Sequence, residues 1–168
     1  TEAQRERAES MGYTVVDPSW CICFDENGRL NMAMTIRTIR ASLLPLKHAV
    51  IAGFYGADMS GKIHTFERGG SDITGSLVAC ALGADLYENW TDVSGLYAAD
   101  PRIVDHPETV SHMSYRELRT LSYMGAAVLH SDAVLSASEM EIPINIRNTN
   151  RPEDPGTMIV RHLPAGVV

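Results

Sequence analysis

The chain has 168 residues, 45% of them apolar and 21% charged, an ordinary globular composition that can bury one substantial core. Against 14 lysines and arginines stand 21 acidic residues, and the resulting net charge of −7 has the wrong sign for a protein that lives on phosphate backbone. No apolar run approaches the roughly 20 residues needed to span a bilayer and no charged-then-apolar leader opens the chain, so it reads as soluble and cytoplasmic, with neither nucleic acid nor membrane as a partner.

The opening stretch from Glu2 to Met11 is charged and helix-forming and ends at Gly12. Tyr13 to Val16 follow as a β-branched strand stopped by Asp17 and Pro18. Met32, Ile36, Ile39 and Leu43 recur at steps of three or four, which predicts a helix from Asn31 to Leu44, closed by Pro45 before an apolar strand at Ala49 to Ala52. Beyond Gly53 to Gly56, a turn at Ser60 and Gly61 delivers Lys62 to Phe66 as a short strand or hairpin arm. Ile73, Leu77, Val78 and Ala81 then form one stripe of a helix from Ser71 to Leu82 that ends at Gly83. A strand at Asp85 to Trp90, helices at about Tyr115 to Tyr123 and Ala126 to Met140, and strands at Pro143 to Arg147 and Thr157 to Val160 complete the pattern. Alternating strands and helices argue an α/β sheet with helices on both faces. That the first element is already a helix and the first residue Thr1 suggests a chain that starts inside a domain.

Rarer residues narrow the chemistry. Cys21, Cys23 and Cys80 lack the paired spacing of a zinc site or disulfide framework and read as structural thiols in a reducing compartment. His48, His64, His106, His112, His130 and His162 are scattered, with no pair at helical ligand spacing, so no metal site is expected. Among the 14 basic residues only Lys47 and Lys62 are lysines, and any step that needs a point-charge ammonium must use one of these or go elsewhere.

Two segments offer ligand chemistry. Arg68, Gly69, Gly70, Ser71 and Asp72 lie between a strand and the start of an amphipathic helix. There glycines permit close backbone approach, helix N–H groups attract anions, and a guanidinium can clamp a carboxylate. The same residues also fit a tight turn with Ser71 or Asp72 as a plain N-cap. The second segment, from Trp90 to Arg102, follows the carboxyl end of a strand, the edge where open α/β sheets bind ligands. Thr91 and Asp92 offer polar contacts there, Tyr97 a flat face and Arg102 a charge for phosphates. A turn at Asp100 and Pro101 beside a half-buried loop aromatic is the plainer alternative.

The runs FERGGSDITGSLVA, DLYENWTDVSGLYAADPRIV, LSYMGAAVLHSDAV and IPINIRNTNRPEDPGTMIV, in this order, closely resemble aspartokinases of the amino acid kinase family, strongly over about residues 48 to 160. The resemblance implies a three-layer αβα sandwich around a mainly parallel sheet, of the amino acid kinase or carbamate kinase type, with this chain as its nucleotide-binding half. Residues 1–160 would be part of the catalytic domain, and 161–168 a tail leading toward regulatory domains. Such an enzyme takes ATP with Mg2+ and phosphorylates the side-chain carboxylate of L-aspartate, giving 4-phospho-L-aspartate on the way to lysine, threonine and methionine. The full-length parent is expected to be a homo-oligomer. By the same resemblance Arg68, Gly69, Gly70 and Ser71 bind the amino acid, Asp72 is catalytic, and Thr91, Asp92, Tyr97 and Arg102 bind the nucleotide.

This sequence departs from the family pattern in two places. It has no lysine-bearing KFGG turn, neither Lys47 nor Lys62 occupying a comparable position, and Ala127 stands in AAVLH where many relatives place a nucleotide-contacting lysine. The fragment alone is therefore expected to be inactive. A non-catalytic nucleotide-binding or assembly module of the same fold is an alternative, as is an amino acid kinase with another substrate, such as a carbamate.

Overall fold

A computed structural model of the chain describes residues 1–99, 103–123, 129 and 131–164. They gather into two compact units, Thr1–Leu82 and Gly83–Val168.

In the first unit, helix α1 (Glu2–Ser10) is opened by a capping box in which Thr1 and Gln4 satisfy each other's backbone donors. Strand β1 (Thr14–Val16) pairs in parallel with β2 (Ala49–Ile51), Val15 opposite Val50. Between them, Asp17 does more than stop a strand. Its carboxylate accepts from the Ser19 amide at 2.9 Å and from the Tyr55 hydroxyl at 3.1 Å, capping a 3-10 turn (Pro18–Trp20) that the sequence pattern did not suggest. Burial works against its charge, yet these bonds hold its pKa below the ordinary value.

Helix α2 (Met32–Leu43) begins at Asn31, whose side chain accepts from the Met34 amide. Its buried face is Thr35, Ile39 and Leu43, so the expected stripe is rotated and Met32 is left exposed. The cause is hydrogen bonding. Thr35 Oγ1 accepts from the Cys23 amide at 2.9 Å and Thr38 Oγ1 donates to the Cys21 carbonyl at 2.6 Å, so two hydroxyls seat the helix on the 21–23 segment. Cys21 is fully enclosed there. Burial first, then its neighbours Cys23 and Asp17, push its thiol up to about 11, so it stays protonated at neutral pH and is no nucleophile.

Strands β3 (Tyr55–Ala57) and β4 (Ile63–Thr65) form an antiparallel hairpin with Gly56 opposite His64. Helix α3 (Gly70–Leu82) buries Ile73, Leu77 and Ala81 and packs on α2, where Arg40 Nη1 donates to the Ala81 carbonyl at 2.9 Å.

The second unit holds β5 (Tyr87–Thr91), β6 (His112–Ser114), α4 (Tyr115–Tyr123), α5 (Ser131–Glu139), β7 (Ile144–Asn148) and β8 (Thr157–Val160). Its four-stranded sheet runs β5-β7-β8-β6, with β5/β7 and β6/β8 parallel and β7/β8 antiparallel. Ile144, Ile146, Ile159 and Leu118 are fully buried and form its core. Ser114 and Glu117 make a capping box that starts α4 and keeps the Glu117 carboxyl below its ordinary pKa. The short strand β6 was not expected. Of the helix expected from Ala126 to Met140, residues 126–128 and 130 lie outside the described residues, and the described helix starts at Ser131.

The hairpin turn of the first unit carries a titratable anchor. Asp58 Oδ1 accepts from the Ser60 hydroxyl at 2.6 Å and the amides of Ser60 and Lys62, while Oδ2 meets His64 Nε2 at 2.8 Å. Ser60 first, then His64, hold the Asp58 carboxyl far below its ordinary value of 3.8. A depressed folded-state pKa contributes stability that is present above the unfolded value and lost as pH falls through the folded one. Asp58→Asn should therefore lower the melting temperature at neutral pH, with the gap from wild type closing below about pH 4. Thermal denaturation of both proteins across acidic pH checks this, and a gap independent of pH would contradict it.

Candidate functional site

The start of α3 is seated by close packing. A Cβ at Gly70 would lie 2.6 Å from Phe54 Cδ2 and 2.9 Å from Phe54 Cα and from Phe66 Cβ. The space that glycine leaves at position 70 is thus occupied by the loop after β2 and the residue after β4. Phe54 has φ +85, a costly conformation for a non-glycine residue. It is held there from both sides, its amide donating to Thr74 Oγ1 at 3.3 Å and its carbonyl accepting from the Phe66 amide at 2.9 Å. Thr74 also donates to the Gly70 carbonyl at 2.7 Å.

On this seat Arg68 and Ser71 are exposed, Asp72 is half-buried in the first turn, and Gly69 has φ +60. The five sequence-predicted residues therefore come together at a helix N-terminus, with an accessible guanidinium beside it. Phe54 and Thr74 were missed, because a strained phenylalanine leaves no mark in a hydropathy pattern.

In the second unit, Thr91 ends β5 opposite Asn148, the end of parallel strand β7. Thr149 fastens the two strand ends by donating its amide and hydroxyl to the Thr91 carbonyl at 2.8 and 2.9 Å. The Thr91 hydroxyl donates to Asp92 Oδ1 at 3.2 Å. The chain then passes through buried Ser94, which accepts from Asn148 Nδ2 at 2.8 Å, and through Gly95 at φ +111, where a Cβ would come within 2.5 Å of Thr157 Oγ1. Only glycine fits that approach.

Beyond Gly95 opens a cavity of about 710 Å³. Ser94, Tyr97, Thr109 and Ser111 supply hydroxyls to its wall, and Asp105, Arg151 and Asp154 supply charge. Tyr97 is 37% exposed and bridges to Thr109. Tyr97 lines this cavity, whereas Thr91 and Asp92 stand at the strand end without lining it. Asp100, Pro101, Arg102 and Ala127 lie outside the described residues. The cavity residues at 105–111 and 151–156 were not anticipated. They sit on irregular chain between the strands, where the advance signal was the Asp154, Pro155, Gly156 sequence. Among the described residues no cluster of three metal-ligating side chains occurs, and no helix is long and apolar enough to cross a membrane.

Comparison with known proteins agrees with this architecture. The model of the amino acid kinase family matches residues 15–148. Aspartokinase 3 of Bacillus subtilis is 47% identical over 111 residues, covering 66% of this chain and 24% of that protein. The bifunctional aspartokinase/homoserine dehydrogenase of Haemophilus influenzae is 35% identical over 158 residues, 90% of this chain and 19% of that one. The crystal structure of Clostridium acetobutylicum aspartate kinase superposes with a TM-score of 0.89 at 47% identity, over 96% of this chain and 38% of that chain. Escherichia coli aspartokinase III, in complex with aspartate and ADP, superposes with a TM-score of 0.84 at 28% identity, over 95% and 37%. The uridylate kinase of Archaeoglobus fulgidus, at 21% identity and a TM-score of 0.53, shares the fold alone.

The chain belongs to the amino acid kinase family and has its α/β fold. Within that family the relatives named at 28 to 47% identity are aspartokinases, of which the chain spans 19 to 38% of the length.

The seat of α3 allows a direct test. Gly70→Ala must push on Phe54 backbone as well as its ring, so overpacking should cost about 1–3 kcal/mol and outweigh the gain in helix propensity. Urea denaturation of the variant measures this, and an unchanged or higher midpoint would show that the 53–54 loop yields freely.

Proposed function

We propose that this chain forms the nucleotide-binding part of an aspartate kinase, which transfers the γ-phosphoryl group of MgATP to the side-chain carboxylate of L-aspartate. One observation carries the reading. Two separate ligand-competent segments, Arg68–Asp72 on a helix N-terminus and Thr91–Tyr97 at a parallel strand edge, occur in a chain 47% identical to an aspartate kinase over nearly its whole length. The complex of the Escherichia coli relative with aspartate and ADP supports both ligands.

The chemistry asks little covalent help. A carboxylate oxygen of aspartate forms a bond to the γ-phosphorus as the bond to the β,γ-bridging oxygen breaks, leaving ADP and 4-phospho-L-aspartate. The attacking carboxylate is already ionised at neutral pH, so no base need remove a proton. Positioning and charge compensation then carry the rate.

In this reading the Arg68 fork clamps a carboxylate of the amino acid in the pocket shaped by Gly69, Gly70 and Ser71, and Asp72 acts on the substrate by its charge. Thr91, Asp92, Tyr97 and Arg102 hold the nucleotide, Tyr97 offering its ring to the base at the cavity wall. Hydroxyls and a flat aromatic face suit a nucleoside better than a wholly apolar cargo. Mg2+ would enter with the phosphates, which with water supply most of its ligands, and the cation would offset phosphoryl charge. A homo-oligomeric state and residence in the cytoplasm belong to the same proposal.

Titration calorimetry of the 168-residue chain with MgADP tests the reading. Binding is expected, and Tyr97→Ala should weaken it about tenfold through lost stacking, worth about 1–3 kcal/mol per base. Arg68→Lys should leave nucleotide affinity unchanged while weakening aspartate binding in the same calorimetric titration, since an ammonium lacks the fork. No binding of MgADP to the wild-type chain at millimolar concentration would overturn the proposal. Aspartate-dependent ADP release by the isolated chain is expected to be absent, for want of a lysine in a glycine turn opposite the phosphoryl group.

A further inference from the structure

One wall of the cavity in the second unit, residues 150–156, contains neither helix nor named strand. Its own bonds are few: an ion pair joins the Arg151 and Asp154 side chains at 3.3 Å, and the rest start from backbone amides. The Arg151 amide reaches the Asn148 carbonyl at 3.3 Å, the Asp154 amide the Arg151 carbonyl at 3.1 Å, and the Asn150 amide the Asn148 side chain at 2.9 Å. Yet Arg151, Asp154, Pro155 and Gly156 all face the cavity. Something must hold their backbone in place.

Arg147, in the body of β7, does so. Its Nη2 donates to the Pro152 carbonyl at 2.6 Å and the Asp154 carbonyl at 3.3 Å, while Nη1 pairs with Glu88 on β5 at 3.3 Å. The guanidinium carbon lies 4.8 Å from the ring centroid of Trp90, also on β5. A single planar group thus ties the turn to two strands, stacking on one face and donating from its edges, which an ammonium cannot do.

We infer that Arg147 is a positioning residue for the cavity. By bonding the carbonyls of Pro152 and Asp154 it sets where Arg151 and Asp154 stand, and so shapes the ligand wall without touching the ligand. This rests on the nucleotide reading only for the identity of what the cavity holds.

The Arg147 Nε–H separates this role from a merely stabilising one. It is buried and has no hydrogen-bond partner among the described residues, an arrangement that costs stability. Lysine removes that orphan donor together with the fork. Arg147→Lys should therefore keep the melting temperature close to wild type while loosening the wall.

The test is amide hydrogen exchange on the full 168-residue chain, wild type against Arg147→Lys, read together with MgADP titration. The amides of Arg151, Glu153, Asp154 and Gly156 should exchange about tenfold faster in the variant, those of β7 and β8 should not change, and affinity for MgADP should fall about fivefold. Should Arg147→Lys fail to fold, Glu88→Gln, which loosens the guanidinium but leaves its bonds to the turn possible, should show the same local acceleration to a smaller degree. Unchanged exchange in the 151–156 amides, or acceleration spread evenly through the sheet, would overturn the inference. If the wild-type chain binds no MgADP, the nucleotide reading falls while the exchange pattern still decides the part played by Arg147.

Discussion

The hydroxyl of Thr157 is the contact on which the second unit turns. Fully buried at the first position of β8, it accepts from the Leu96 amide at 2.8 Å and donates to the Val110 carbonyl at 2.6 Å. Leu96 and Val110 also bond each other, the Val110 amide reaching the Leu96 carbonyl at 2.8 Å. Two excursions of irregular chain are thereby pinned to a strand of the sheet. The backbone must come so close that position 95 has no room for a side chain. Glycine and threonine here are one feature: the first permits the approach, and the second satisfies the polar groups it would otherwise bury unpaired.

The first unit uses the same device. Thr35 and Thr38 bring α2 onto the 21–23 segment by bonding its backbone, and Thr74 bonds both the Phe54 amide and the Gly70 carbonyl. In each case a β-branched hydroxyl on a regular element reaches out to an irregular one. Such residues are stiff at χ1, so the bond fixes the loop at little further entropic cost. The loop at Phe54 that seats the start of α3 and the loop through Leu96 are both held in this way, which is how chain without regular structure acquires a defined shape.

That logic also explains what could be read from the residues in advance. Helices with a cap and a closing glycine were legible, since Asn31 and Gly83 mark their ends locally. So were the strands β1, β2, β7 and β8, which carry apolar or β-branched runs. By contrast β6 has three residues, too few for the alternation of His112, Met113 and Ser114 to stand out, and its pairing with β8 is what makes it a strand. The rotation of the buried face of α2 came from hydroxyl bonding, to which a hydrophobic stripe is blind. Of the candidate site, Tyr97 could be picked out only by its place beyond the carboxyl end of a strand. The opposite wall was not, because Arg151, Asp154 and Gly156 join Tyr97 at the cavity only through pairing of strands distant in sequence.

Arginine use gives the last connection between composition and site. Arg40 donates to the Ala81 carbonyl and Arg147 to those of Pro152 and Asp154, so part of the cationic complement is spent on internal backbone acceptors. With a net charge of −7, the chain exerts no general attraction on an anion. Beyond about 8 Å exposed charges are largely screened at physiological salt, so overall acidity matters less than what lies within that radius of a ligand. A phosphate or carboxylate at either unit must therefore find a few local donors: in the first unit an exposed guanidinium at Arg68 and the amides that open α3, and in the second the hydroxyls around Tyr97. Short-range donors of this kind act only when their geometry is fixed, and the packing at Gly70 and Gly95 and the fork of Arg147 are what fix the chain around them.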